Sequence, residues 1–81
     1  MKKFSKAQQL VLNSLWYGDV IRWNYKTGYH FIGSGRLVTG RTIGALESVL
    51  NHVRDGSGDA FINVVSAAVE IRDGIFYRRE F

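Results

Sequence analysis

The apolar positions change their period along the chain, and each change marks an element. From residue 5 to 16, Ala7, Leu10, Val11, Ser14 and Leu15 recur three and four apart, which predicts one stripe of an amphipathic helix. Ser5 stands at its N-cap, and Gln8 completes a capping box. Gly18 ends the helix and Asp19 opens the next turn. Residues 20–25, Val-Ile-Arg-Trp-Asn-Tyr, are β-branched and aromatic and predict a strand. Lys26-Thr27-Gly28 supplies a turn, and Tyr29-His30-Phe31-Ile32 returns as the partner strand of a hairpin. Gly33-Ser34-Gly35 is a second break, with Arg36-Leu37-Val38 a short third strand.

Helical spacing returns at Ile43, Leu46, Val49, Leu50 and Val53, so a second helix is predicted over 41–53, capped by Thr39 or Gly40 and stopped by the loop from Asp55 to Asp59. Residues 60–69 support two readings. Phe61, Val64, Val65 and Ala68 fit a helix capped by Asp59, whereas Ile62, Val64, Val65 and Val69 suit a strand; a short helix or irregular start running into a strand is favoured. Val69-Glu70-Ile71, then Arg72-Asp73-Gly74, then Ile75-Phe76-Tyr77-Arg78 reads as a β-hairpin with an Asp-Gly turn. These elements describe one small α+β domain over residues 1–81, with two or three helices, an inserted β-hairpin and a C-terminal hairpin.

Charge alters this picture by its distribution. Residues 1–46 carry seven Lys or Arg against Asp19 alone, for +6, while residues 47–81 carry four Arg against six acids, for −2. A basic half beside a mildly acidic half suits a polyanion on one face, and it suits simple solubility as well. The chain has no cysteine and two histidines, so neither a disulfide framework nor a thiolate metal site is expected, and no cofactor or metal is called for. No Ser/His/acid or paired-carboxylate spacing appears, so an enzyme is not expected. No run is long enough to cross a bilayer, and a cytoplasmic protein without membrane attachment is the expectation.

The stretch from Gly33 to Arg54 carries the candidate chemistry. Gly35-Arg-Leu-Val-Thr-Gly-Arg-Thr42 has the spacing of a phosphate-binding loop, but Arg41 occupies the lysine position and the chain is too short for a nucleotide-binding α/β fold. What survives is a glycine turn leading into a helix, with Arg41 and Thr42 in its first turn to hold a backbone phosphate. If the apolar stripe turns inward, Arg41, Gly44, Ser48, Asn51 and His52 share the outer face, where Arg and Asn can read base edges. Arg36, and Arg72 and Arg78 on the last hairpin, extend this nucleic-acid surface; the bland alternative is a solvated polar face. A separate constellation, Trp23, Tyr25, Tyr29 and Phe31 interleaved with Arg22, Lys26 and His30, suits base stacking or a protein-binding hot spot, the latter through Trp23, Tyr25, Tyr29, Arg22 and Lys26, although strand alternation commits about half of such rings to the core.

Phe4-Ser5-Lys6-Ala7-Gln8-Gln9-Leu10-Val11-Leu12, the hairpin after it, and Val38-Thr-Gly-Arg-Thr-Ile-Gly-Ala-Leu-Glu47 resemble the small winged-helix DNA-binding domains of bacteria and phages. The resemblance spans about residues 4–54, with the Val69–Arg78 hairpin in the wing position. It departs from that pattern at Gly33–Val38, where a short helix is usual. It implies a transcription regulator whose second helix enters the major groove of DNA, with a homodimer reading two half-sites. The competing expectation is a small phage-type viral protein that binds a host protein, such as a CRISPR effector or a transcription enzyme, as an inhibitor or adaptor through the aromatic hairpin.

Overall fold

The computed structural model describes residues 2–79. In chain order it contains β1 (Lys2–Lys3), α1 (Lys6–Trp16), β2 (Ile21–Asn24), β3 (Gly28–Phe31), β4 (Leu37–Val38), α2 (Gly40–Ala45), β5 (Leu50–Arg54), β6 (Ala60–Val64), β7 (Val69–Arg72) and β8 (Ile75–Arg78). Single turns of 3-10 helix at Glu47–Val49 and Ser66–Ala68 lead into β5 and β7. All strand pairs are antiparallel. Five strands form one sheet in the order β4-β3-β2-β6-β5, and three form another in the order β1-β8-β7. α1 packs against β6 of the first sheet and β8 of the second.

This architecture overturns the winged-helix expectation. Strand dominates, and α1 is the one helix of seven or more residues among those described. The failure lies in residues 41–53. Their apolar positions are inward as expected at Ile43, Leu46, Val49 and Leu50, but Val53 is exposed. The backbone leaves the helix after Ala45, makes one 3-10 turn and becomes β5, which pairs with β6 from Leu50↔Val64 to Arg54↔Ala60. Gly44, Ser48, Val49, Asn51, His52 and Val53 are all mediocre or poor helix formers. Pairing with a partner strand offers Leu50–Arg54 more than continued helix does. The same pairing reverses the order favoured for residues 60–69: Ala60–Val64 is strand β6 from its start, and the single helical turn follows it.

The remaining elements form where expected. Ser5 Oγ accepts from the Gln8 N–H, and Gln8 Oε1 accepts from the Ser5 N–H, closing the capping box. Gly18 takes φ +103°, a value that strains any side-chain-bearing residue, and the Asp19 N–H then donates to Ser14 O at 3.0 Å. The Asp19 carboxylate accepts from the N–H groups of Val20 and Gly33, tying the helix end to the far side of the hairpin. The β2–β3 and β7–β8 hairpins form, the latter with φ 51° at Asp73 and 76° at Gly74, and Leu37–Val38 is the short strand β4.

The α1 stripe is rotated from its expected position. Val11, Leu12 and Leu15 are buried, while Ala7 and Leu10 face solvent. A helix wedged between two sheets buries a wider face than one stripe. Around it pack Ile21, Phe31 and Ile62 from the large sheet, Phe76 and Val69 from the small one, and Ile43, Leu46 and Val49 from the helical segment between β4 and β5. No polar or charged residue is buried among the described residues.

Candidate functional site

Cross-strand register sorts every side chain of the large sheet onto one of two faces. Ile21, Phe31 and Ile62 lie in one row, and that face is covered by the core. Two residues further along each strand the same face continues as Trp23, Tyr29 and Ala60, with His52 opposite Ile62 and Arg54 opposite Ala60 on β5. Here α1 no longer reaches, and the face opens. Trp23, Tyr29, Ala60, His52 and Arg54, with Glu47 from the turn before β5, line a cleft of about 360 Å³.

Ala60 explains why a cleft exists. Its methyl group sits between Trp23 on β2 and Arg54 on β5, so a long side chain on each flank stands over a short floor. The walls differ in chemistry. Trp23 and Tyr29 are directly opposed on neighbouring strands and half-buried. On the other side Glu47 Oε1 stands 3.1 Å from His52 Nε2, which steadies the carboxylate at the rim. Arg54 is exposed and makes no ion pair among the described residues. Tyr25 and Lys26 occupy the β2–β3 turn at this same end of the sheet, with the Lys26 ammonium 5.7 Å from the Tyr25 ring centroid. That turn is held by Asn24 Oδ1, which accepts from the N–H groups of Lys26 and Thr27.

The structure brings to the cleft two residues of the predicted aromatic set, Trp23 and Tyr29, and one of the predicted base-reading set, His52. Trp23 and Tyr29 meet in the cleft. Arg22 does not: it projects from the opposite face, where its guanidinium pairs with Asp59 and lies 5.9 Å from the Phe61 ring centroid. Tyr25 is 81% exposed at the turn. The proposed base-reading face of a second helix is dispersed. His52 enters the cleft, while its neighbour Asn51 points to the outer face, because successive strand residues alternate. Ser48 lies exposed in the 3-10 turn, and Arg41 and Thr42 remain on α2. Thr39 does cap α2, its Oγ1 accepting from the Thr42 N–H at 3.3 Å, but six residues are too few to build a useful helix dipole. Arg36 lies over the Phe31 ring, Arg72 pairs with Glu70, and Arg78 lies over Phe4 while donating to Ala45 O. These are separate local contacts and not one basic wing.

Sequence reasoning missed Glu47 and Arg54. The signal was present in the alternation of His52 and Arg54 about Val53, which becomes visible once residues 50–54 are taken as a strand. Among the described residues no three His, Asp or Glu side chains converge as metal ligands, and no helix is long and apolar enough to cross a membrane. No protein-family model matches the chain, nor does any curated protein or solved structure.

Proposed function

We propose that the chain binds single-stranded nucleic acid, with one base seated in the Trp23/Tyr29 cleft and the adjoining phosphates against Arg54 and Lys26. The observation that carries this reading is the opposed Trp23–Tyr29 pair on the same sheet face as Arg54, which has no ion-pair partner among the described residues. Aromatic faces bind unstacked bases of any sequence, and an arginine beside them neutralises the backbone. The charge balance agrees. Arg22 and Arg72 are engaged by Asp59 and Glu70, whereas Arg54 and Lys26 at the cleft end of the sheet make no ion pair among the described residues and remain to attract phosphates. A single strand is favoured over a duplex because the major groove would need a protruding helix or ribbon, whereas a cleft admits a splayed base. Such a role belongs in the cytoplasm, where nucleic acid is at hand.

The direct test is fluorescence anisotropy with labelled single-stranded DNA, single-stranded RNA and duplex DNA at low and moderate salt. Single strands should bind more tightly than duplex, and affinity should fall with salt. Equal or tighter duplex binding would refute the reading.

One observation favours a second reading, a protein-binding surface. Leu10 and Leu37 are both more than half exposed and flank a groove of about 270 Å³ between α1 and β4, backed by Phe31. Capture of a protein partner that survives nuclease treatment and is lost on Leu37→Asp but kept on Trp23→Ala would support it.

A further inference from the structure

Resting on the single-strand reading, we infer that the cleft is selective for guanine, and that Glu47 is the residue that determines this. A carboxylate is an odd neighbour for a phosphate backbone. It repels the phosphates that Arg54 attracts, so its place on the rim across the cleft from Trp23 and Tyr29 calls for donors on the base itself. An ionised carboxylate only accepts hydrogen bonds, through two oxygens side by side. His52 Nε2 contacts Oε1 at 3.1 Å and holds the group toward the cleft, leaving Oε2 and a further lone pair of Oε1 to accept.

The Watson–Crick edges of the bases answer this fork differently. Guanine presents two adjacent donors, N1–H and the N2 amino group, which match the two oxygens. Adenine presents its N6 amino group beside the N1 acceptor, and cytosine its N4 amino group beside N3. In both, the second carboxylate oxygen would face a lone pair. Thymine and uracil present one N–H between two carbonyls. A single strand offers these edges freely, because its bases are unpaired. Trp23 would stack on the seated base whatever its identity, so stacking gives affinity and Glu47 gives the choice. His52 acts here as a positioning residue through the carboxylate.

The experiment uses the full chain and five thymidylate 9-mers that carry at the centre guanine, inosine, adenine, cytosine or thymine. Binding is followed by anisotropy at one low salt concentration. The guanine oligomer should bind roughly tenfold tighter than the rest, because guanine alone makes a second hydrogen bond to the charged group. Inosine, which lacks the N2 amino group, should lose most of that gain. Glu47→Gln sharpens the test, because an amide offers one acceptor and one donor. It should abolish the guanine preference and improve adenine and cytosine relative to guanine. If Glu47 served only to balance local charge, Glu47→Gln would instead tighten all five oligomers alike, and that result overturns the inference. Equal binding of all five by the native chain also overturns it while leaving the single-strand reading intact. Absence of binding to every oligomer would overturn both.

Discussion

The side-chain amide of Gln9 pairs with the backbone of Phe76. Its Oε1 accepts from the Phe76 N–H at 2.7 Å, and its Nε2 donates to Phe76 O at 2.7 Å and to Phe4 O at 3.2 Å. A glutamine on α1 thus supplies β8 with the donor and acceptor that a neighbouring strand would provide. It ties the helix to the small sheet at residues 67 apart in sequence. Gln9→Ala should therefore destabilise the chain by about 1–3 kcal/mol, since it strands the part-buried N–H of Phe76 and leaves Phe76 O only the longer bond from the Phe4 N–H. Denaturant unfolding should show a lower midpoint with an unchanged slope. Gln8→Ala, which removes one half of the capping box, should cost less, near 1 kcal/mol.

The small floor residue of the cleft gives a test that leaves every charge in place. Ala60→Leu would fill the space between Trp23 and Arg54. Binding of a labelled single strand should fall by roughly tenfold or more while the circular dichroism spectrum stays native. Stability should change by at most about 1–3 kcal/mol, the usual cost of added methylenes in a packed site. Undiminished binding would mean that the strand lies elsewhere.

Arginines can be ranked by their salt dependence. Each phosphate neutralised on a single strand contributes about 0.7 to the slope of log K against log salt. Arg54→Ala should lower that slope by roughly this amount. Arg41→Ala and Arg72→Ala should leave it unchanged, since Arg41 stands on α2 outside the cleft lining and Arg72 is engaged with Glu70. A series of titrations between low and moderate salt decides the order.

The β5–β6 loop carries its own titration. Hydrogen bonds from the Ser57 hydroxyl, and then from its backbone N–H, hold the Asp55 carboxyl below the ordinary carboxylate range. Because the folded pKa is depressed, the loop contact is present above the unfolded value of about 3.9 and is lost as pH falls through the folded one. NMR titration should place Asp55 below exposed aspartates, and Ser57→Ala should raise it toward them. An Asp55 that titrates normally in the native chain would contradict the hydrogen-bond geometry.

Local signals in this chain were more legible than long-range ones. The Ser5/Gln8 capping box, the Gly18 helix stop and the Asp73-Gly74 turn are each decided within a few residues, and each forms as read. The segment 41–53 was misread because Ile43, Leu46, Val49 and Leu50 are inward in either conformation. The pairing of β5 with β6 and the weak helix propensity of Ser48, Val49, Asn51, His52 and Val53 distinguish them, and nothing within residues 41–53 encodes the partner strand. The site followed the same pattern. Trp23 and Tyr29 were recognised together because one hairpin holds them, whereas Glu47, His52 and Arg54 join them only through the order of strands in the sheet.

The central claim is that Trp23 receives a base of a single strand. It is tested most directly by comparing native and Trp23→Ala chains in anisotropy titrations with a labelled thymidylate 9-mer, both variants first shown to be folded. Loss of a stacking partner should weaken binding by about 1–3 kcal/mol, roughly tenfold or more. Trp16→Ala, which removes the tryptophan packed on Phe76 far from the cleft, should leave affinity unaltered in the folded fraction. Equal affinity of the native and Trp23→Ala chains would contradict the account.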